Sequence, residues 1–145
     1  GQWFQAGISG VYQGYLFDLA RSTAVGTPSD RQVAAFEAAI SCVDASIAAI
    51  RPDVSAGSVA TAGLDRMRAL GYDFGGAFSG MGHGIGLGWD TPWLIPGDTT
   101  VLKSGMVLCV ERGVKHEGYS GDFEETVLVT DTGSELLTSA RVRRW

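Results

Sequence analysis

The sequence predicts an α+β fold in which strands form both ends of the chain and two consecutive helices stand between them. Three observations carry this reading. Residues 1–25 are β-like and punctuated by glycine, residues 29–71 hold two apolar stripes at spacings of three and four, and Tyr72 to about Leu137 is glycine-rich, aromatic and again β-like. With 145 residues, and no repeat, low-complexity tract or linker, the chain is read as a single domain over 1–145 that can bury a core.

Residues 1–25 alternate around Gly10 and Gly14 and carry Val11, Tyr12, Tyr15, Leu16 and Phe17, the pattern of two short strands joined by a turn. Asp18 stands among Leu16, Phe17, Leu19 and Ala20. An acid in such a run is locally unfavourable, so it is either a site residue or the ion-pair partner of Arg21; the segment leaves both open.

Ser29 and Gln32 have the spacing of a capping box, and Val33, Phe36, Ile40, Val43, Ile47 and Ile50 repeat at three and four. The first helix should therefore stop at Arg51, before Pro52. A second helix is expected from Ser58 to Leu70, with Val59, Leu64, Met67 and Leu70 on one side and Gly71 as its C′ glycine. Both stripes read as core packing, Met67 included.

Beyond the helices, Gly82-His83-Gly84-Ile85-Gly86-Leu87 sets one of only two histidines between glycines that let backbone approach closely. Trp89 and Trp93 flank Pro92 in an expected loop, where they could wall a pocket or simply pack, and Pro96-Gly97-Asp98 is a turn. Two β-like runs follow, one ending at Glu111 and one containing Glu124, joined by a hairpin tip at Gly118 to Gly121. Alternation places Glu111 on a face with Cys109 and Val107, and Glu124 with Thr126 and Leu128, while Glu125 points the other way. His116, in the charged run Lys115-His116-Glu117, reads as solvated loop and receives no role.

Sixteen acidic against eleven basic residues give a net charge of −5, and no dense Lys/Arg cluster offers a phosphate-binding surface. Nucleic acid is thereby excluded as a ligand. Cys42 and Cys109 lie in apolar runs and read as buried thiols. No uninterrupted apolar stretch is long enough to span a bilayer and no charged-then-apolar leader opens the chain, so no membrane role and a cytoplasmic location are expected.

A carboxylate in an apolar strand is costly unless paired or bound to a cation. Asp18, His83, Glu111 and Glu124 make a mixed nitrogen and oxygen set suited to Mn²⁺, Fe²⁺, Co²⁺ or Zn²⁺. Such an ion would polarise a carbonyl and lower the pKa of bound water from about 16 toward about 7. A neighbouring glutamate could carry the proton.

Four segments, in this order and spacing, resemble the methionine aminopeptidase/prolidase family of pita-bread metallohydrolases, which includes Xaa-Pro peptidases and creatinase-like enzymes. They are Gly14 to Ser22 with Val25-Gly26, Ile50-Arg51-Pro52, Gly82 to Leu87, and Leu102 to Thr138, the last containing Val110-Glu111 and Glu124-Glu125-Thr126. The resemblance covers essentially the whole chain and is nearer the prolidase and Xaa-Pro aminopeptidase branch. It implies half or most of a pita-bread fold, with a curved antiparallel sheet and two helices on its outer face, corresponding to the C-terminal half of such proteins. It further implies a metal-dependent hydrolase that cleaves a peptide or small amide using one or two divalent ions. Carried over by position, Asp18 and Glu124 would bridge the ions, His83 and Glu111 would hold one of them, and Glu111 would also act as acid/base, with His83 beside it as a catalytic residue.

Three departures accompany the resemblance. Gly7 stands eleven residues before Asp18, where the family has its first Asp; Gly88 to Pro92 lacks the expected His-Glu; and Arg112 replaces the Pro after the first metal Glu, putting a bulky cation close to the site. A half fold would leave a sheet edge uncovered, so association with an N-terminal half or with another copy is expected. The alternatives are a catalytically silent binding module and a relative acting on a non-peptide small molecule.

Overall fold

The structure, a computed structural model, describes residues 1–72, 79–116 and 119–139. Strands β1 (Gln2–Tyr12) and β2 (Tyr15–Val25) form an antiparallel hairpin whose two-residue turn is Gln13-Gly14. Both turn residues have positive φ, 51° and 87°, the backbone that suits the right-handed twist of a tight hairpin. These strands are 11 residues each, longer than expected, because Gly10 lies inside β1 and makes no turn. Its missing side chain leaves room for the ring of Phe17, its cross-strand partner.

Helix α1 (Asp30–Ala49) opens on the expected capping box. The Gln32 N–H donates to Ser29 Oγ at 3.3 Å, and the Ser29 N–H donates to Gln32 Oε1 at 2.8 Å. It ends at Ala49, two residues short of Arg51, with Ile50 already extended ahead of Pro52. Phe36, Ile40, Val43 and Ile50 are buried, whereas Val33 is exposed and Ala35, Ala39 and Cys42 widen the core face in its place. By length and composition α1 could cross a bilayer, contrary to the sequence reading, yet half of it is buried as a core helix of this fold.

Helix α2 (Ala56–Ala69) starts two residues before Ser58 because Ser55 is its cap, accepting the Ser58 N–H at 3.2 Å. Gly71 closes it at φ 79°, donating its N–H to the Arg68 carbonyl at 2.9 Å. Val59, Leu64 and Met67 enter the core, but Leu70 stays exposed.

A five-stranded antiparallel sheet follows, in the order β4-β3-β5-β6-β7, formed by β3 (Gly82–Ile85), β4 (Trp89–Trp93), β5 (Val107–His116), β6 (Tyr119–Val129) and β7 (Ser134–Leu136). Trp89 and Trp93 therefore lie on an edge strand, and the expected loop is strand. His116 likewise belongs to β5, opposite Tyr119 on β6, and Gly121 lies within β6 opposite Val114; residues 117 and 118 of the expected tip are outside the described residues. The expected turn at Gly97 is present, with Gly97 at φ 85° and the Asp98 N–H bonded to the Ile95 carbonyl.

Alternation divides β5 and β6 into two faces. Leu108, Val110, Val114, Phe123, Val127 and Val129 form the core with the helices, and the Phe36 and Phe123 rings meet edge-on at 6.1 Å. Gly121 allows this approach, since a Cβ there would stand 2.6 Å from Phe36 Cα. The opposite face of the sheet looks toward β2, which is tied to the sheet by several bonds. Thr126 Oγ1 donates to the Asp18 carbonyl at 2.8 Å, Ser22 Oγ donates to the Asp122 carbonyl at 2.9 Å, and the Leu16 N–H donates to the Gly86 carbonyl at 2.7 Å.

Candidate metal centre

Between the β1–β2 hairpin and this second face lies a cavity of about 400 Å³ whose lining includes Asp18, His83, Glu111 and Glu124. All four sequence-selected residues therefore border one space. Register explains how. Asp18 arrives on β2, His83 on β3 faces Cys109 of β5, and Glu111 of β5 is directly opposite Glu124 of β6. Like charges directly opposite on neighbouring strands repel, so the Glu111–Glu124 pair favours a cation between them.

His83 is buried, with Nδ1 3.0 Å from the Gly84 carbonyl oxygen. That contact assigns the ring proton to Nδ1 and leaves Nε2 as the acceptor nitrogen, 3.7 Å from Glu111 Oε1. Glu124 is 3% exposed, and its Oε1 has no hydrogen-bond partner among the described residues. Burial raises its pKa to about 8, with the charges of Glu111 and Asp18 adding to the effect. Burial likewise raises Glu111, followed by the charges of Asp122 and Asp18, while the charge of Arg112 acts in the opposite direction.

The ambiguity over Asp18 resolves through Arg21. Arg21 pairs with Glu125 at 2.9 Å and lies 4.3 Å from the Phe123 ring, while Asp18 borders the cavity and accepts the Leu19 N–H at 3.0 Å. Arg112, expected as a cation close to the site, is on the helix side of β5, buried, with Nη1 donating to the Gly80 carbonyl at 3.0 Å, and from there its charge still acts on Glu111 and Asp122. Trp93 and Trp89 border the cavity, their ring centroids 5.8 and 6.0 Å from that of His83.

Two residues at the site were not selected from the sequence. Asp122 lines the cavity, with its carboxyl accepting from Gln5 Nε2 and its pKa raised by burial. Alternation on β6 already put it on the face of Glu124. Cys109 is the buried thiol expected, but it is not remote from the site. His83, Cys109 and Glu124 each offer a ligand atom within 4.8 Å of the others, a tighter group than the four carried over from the family pattern.

The donors fit a divalent cation. An orphaned buried carboxylate oxygen, an imidazole with one nitrogen tied back to the backbone, and two opposed glutamates are what a cation site needs and what a packed core avoids. Gly7 also borders this cavity, and a Cβ there would meet nothing within 4 Å.

The sequence pattern of metallopeptidase family M24 matches residues 1–131. The Xaa-Pro dipeptidase of Pyrococcus furiosus is 31% identical over 134 residues, an overlap covering 90% of this chain and 38% of that protein. The ectoine hydrolase of Halomonas elongata is 29% identical over 136 residues, covering 90% of this chain and 34% of that protein. Among solved structures, prolidase from Pyrococcus furiosus superposes with a TM-score of 0.88 at 27% identity, over 97% of this chain and 42% of that one. The chain thus spans about two fifths of the length of these relatives, and over that span it has the pita-bread fold.

Proposed function

The chain belongs to metallopeptidase family M24, and we propose that it carries the metal-holding residues of a hydrolase of the Xaa-Pro dipeptidase type. The observation that supports this most is the meeting of Asp18, His83, Glu111 and Glu124 at one cavity with Glu124 Oε1 buried and unsatisfied. His83 Nε2 and the three carboxylates would hold one divalent cation, Mn²⁺, Co²⁺, Fe²⁺ or Zn²⁺. A cation bound there supplies Lewis-acid polarisation of a carbonyl and acidification of water.

The chain's own residues do the rest. Glu111 is half-buried, faces His83, and has a raised pKa, so it can take a proton from the attacking water and return it to the leaving amine. The Gly84 carbonyl holds the imidazole in one tautomer, and Trp89 and Trp93 offer an aromatic wall to an apolar ring or side chain. Gly7 contributes no carboxylate, which favours a single ion.

The test is release of the N-terminal residue from Xaa-Pro dipeptides with Mn²⁺ or Co²⁺ present, using the chain and its Gly7→Asp variant. Metal-dependent release by either supports the proposal; no release by both overturns the peptidase reading. A second reading, hydrolysis of a non-peptide compound, draws on the ectoine hydrolase likeness and predicts turnover of small C–N substrates such as ectoine where Xaa-Pro dipeptides are left intact.

A further inference from the structure

We propose that the Cys109 thiolate is itself a ligand of this cation, making the centre a mixed sulfur, nitrogen and oxygen site that favours Zn²⁺ or Co²⁺ over Mn²⁺. The inference rests on the metal-centre reading above and goes further, because it names the donor that selects the metal.

Register places Cys109 at the middle of a row across three strands, opposite His83 on one side and opposite Thr126 on the other, with Glu124 on the diagonal. The ligand atoms of His83, Cys109 and Glu124 lie within 4.8 Å of one another. Zinc bonds of about 2.0–2.3 Å to nitrogen, oxygen and sulfur place neighbouring tetrahedral donors roughly 3.3–3.8 Å apart. His83 Nε2 and Glu111 Oε1 already stand at 3.7 Å, and the trio needs to close by at most about 1.5 Å.

A second observation points to a ligand in the same place. Glu124, 97% buried, has Oε1 without a partner among the described residues, beside Cys109, and His83 has Nδ1 tied to the Gly84 carbonyl, which turns Nε2 to the site. The thiol is hydrogen-bonded to the Glu124 carboxyl and makes a long contact of 3.9 Å to Thr126 Oγ1, whose own proton is committed to the Asp18 carbonyl. The partner that holds the sulfur is therefore itself one of the proposed ligands. Coordination forms one metal–sulfur bond in place of the S–H bond, and the proton passes to solvent. Soft thiolate then separates borderline ions such as Zn²⁺ from hard Mn²⁺, which carboxylates alone do not do.

The experiment is titration of the reduced, metal-free full chain with Co²⁺, read by absorption. A thiolate–cobalt charge-transfer band in the near ultraviolet is expected, retained in Cys42→Ser and absent in Cys109→Ser. Competition should show Zn²⁺ preferred to Mn²⁺ by at least about tenfold more in the native chain than in Cys109→Ser. The native spectrum needs no variant to fold, so the proposal stays testable if Cys109→Ser does not. Co²⁺ uptake without the band overturns the cysteine ligand and leaves the metal centre standing; no uptake of any divalent ion overturns both.

Discussion

On the helix side of β5 and β6 the charged residues meet protein groups, although buried Nε atoms there also go without a hydrogen bond among the described residues. Arg112 donates to the Gly80 carbonyl, and Glu125 meets Arg21 at 2.9 Å amid Phe123, Val127 and the helix packing. On the cavity side of the same two strands, one residue away in each case, Glu111 faces Glu124, Asp122 is desolvated, and Glu124 Oε1 has no partner among the described residues. The first face lowers free energy by itself, while the second is completed only by something that enters. That contrast within one hairpin separates the residues that build the fold from those proposed to hold the metal.

Substitutions on the two faces should therefore differ in kind. Phe123→Ala removes a fully buried ring and should cost about 3–5 kcal/mol in urea unfolding, while the fraction still folded keeps its metal uptake. Glu124→Gln should do the reverse, abolishing metal uptake while stabilising the metal-free protein at pH 8 and above by a few kcal/mol.

The pH dependence follows from the same group. The unfolded Glu124 carboxyl loses its proton near 4.5 and the folded one near 8, so protonation favours folding. Stability of the metal-free protein should be fullest below about pH 4.5 with respect to this group and should fall as pH rises through 8. Denaturant midpoints measured across that range should show a shallower decline in Glu124→Gln, with a remainder of the same sign from Glu111.

Gly→Ala sharpens the comparison at lower energy. Gly121→Ala forces a Cβ against Phe36 and should cost about 1–3 kcal/mol, whereas Gly7→Ala faces open cavity and should stay within about 0.5 kcal/mol of the native chain. Ser29→Ala, which removes the α1 cap, should cost about 1 kcal/mol by thermal unfolding and leave metal uptake unchanged.

Local physics made much of this legible. The capping box at Ser29 and Gln32, the C′ glycine at Gly71 and the alternation of Glu111 and Glu124 are all short-range patterns, and each reads correctly from the residues alone. What was missed depends on long-range register. Cys109 looked like a core thiol because its own strand is apolar, and only the pairing of β3 with β5 sets His83 opposite it. Asp18 against Arg21 could not be decided within β2, since Glu125 is more than a hundred residues away. Alternation carried a usable signal at two positions: Arg112 adjoins Glu111 and must point to the opposite face of a strand, and Asp122 must share the face of Glu124. Pro92 argued against a strand at Trp89–Trp93, yet an edge strand such as β4 tolerates proline.

The central claim is that the cavity face is completed by a cation, and metal content tests it most directly. After equilibration with divalent metal and removal of the excess, the chain should hold about one ion, and His83→Ala should hold none. A native chain without metal, or a His83→Ala chain with as much as the native one, would contradict the account.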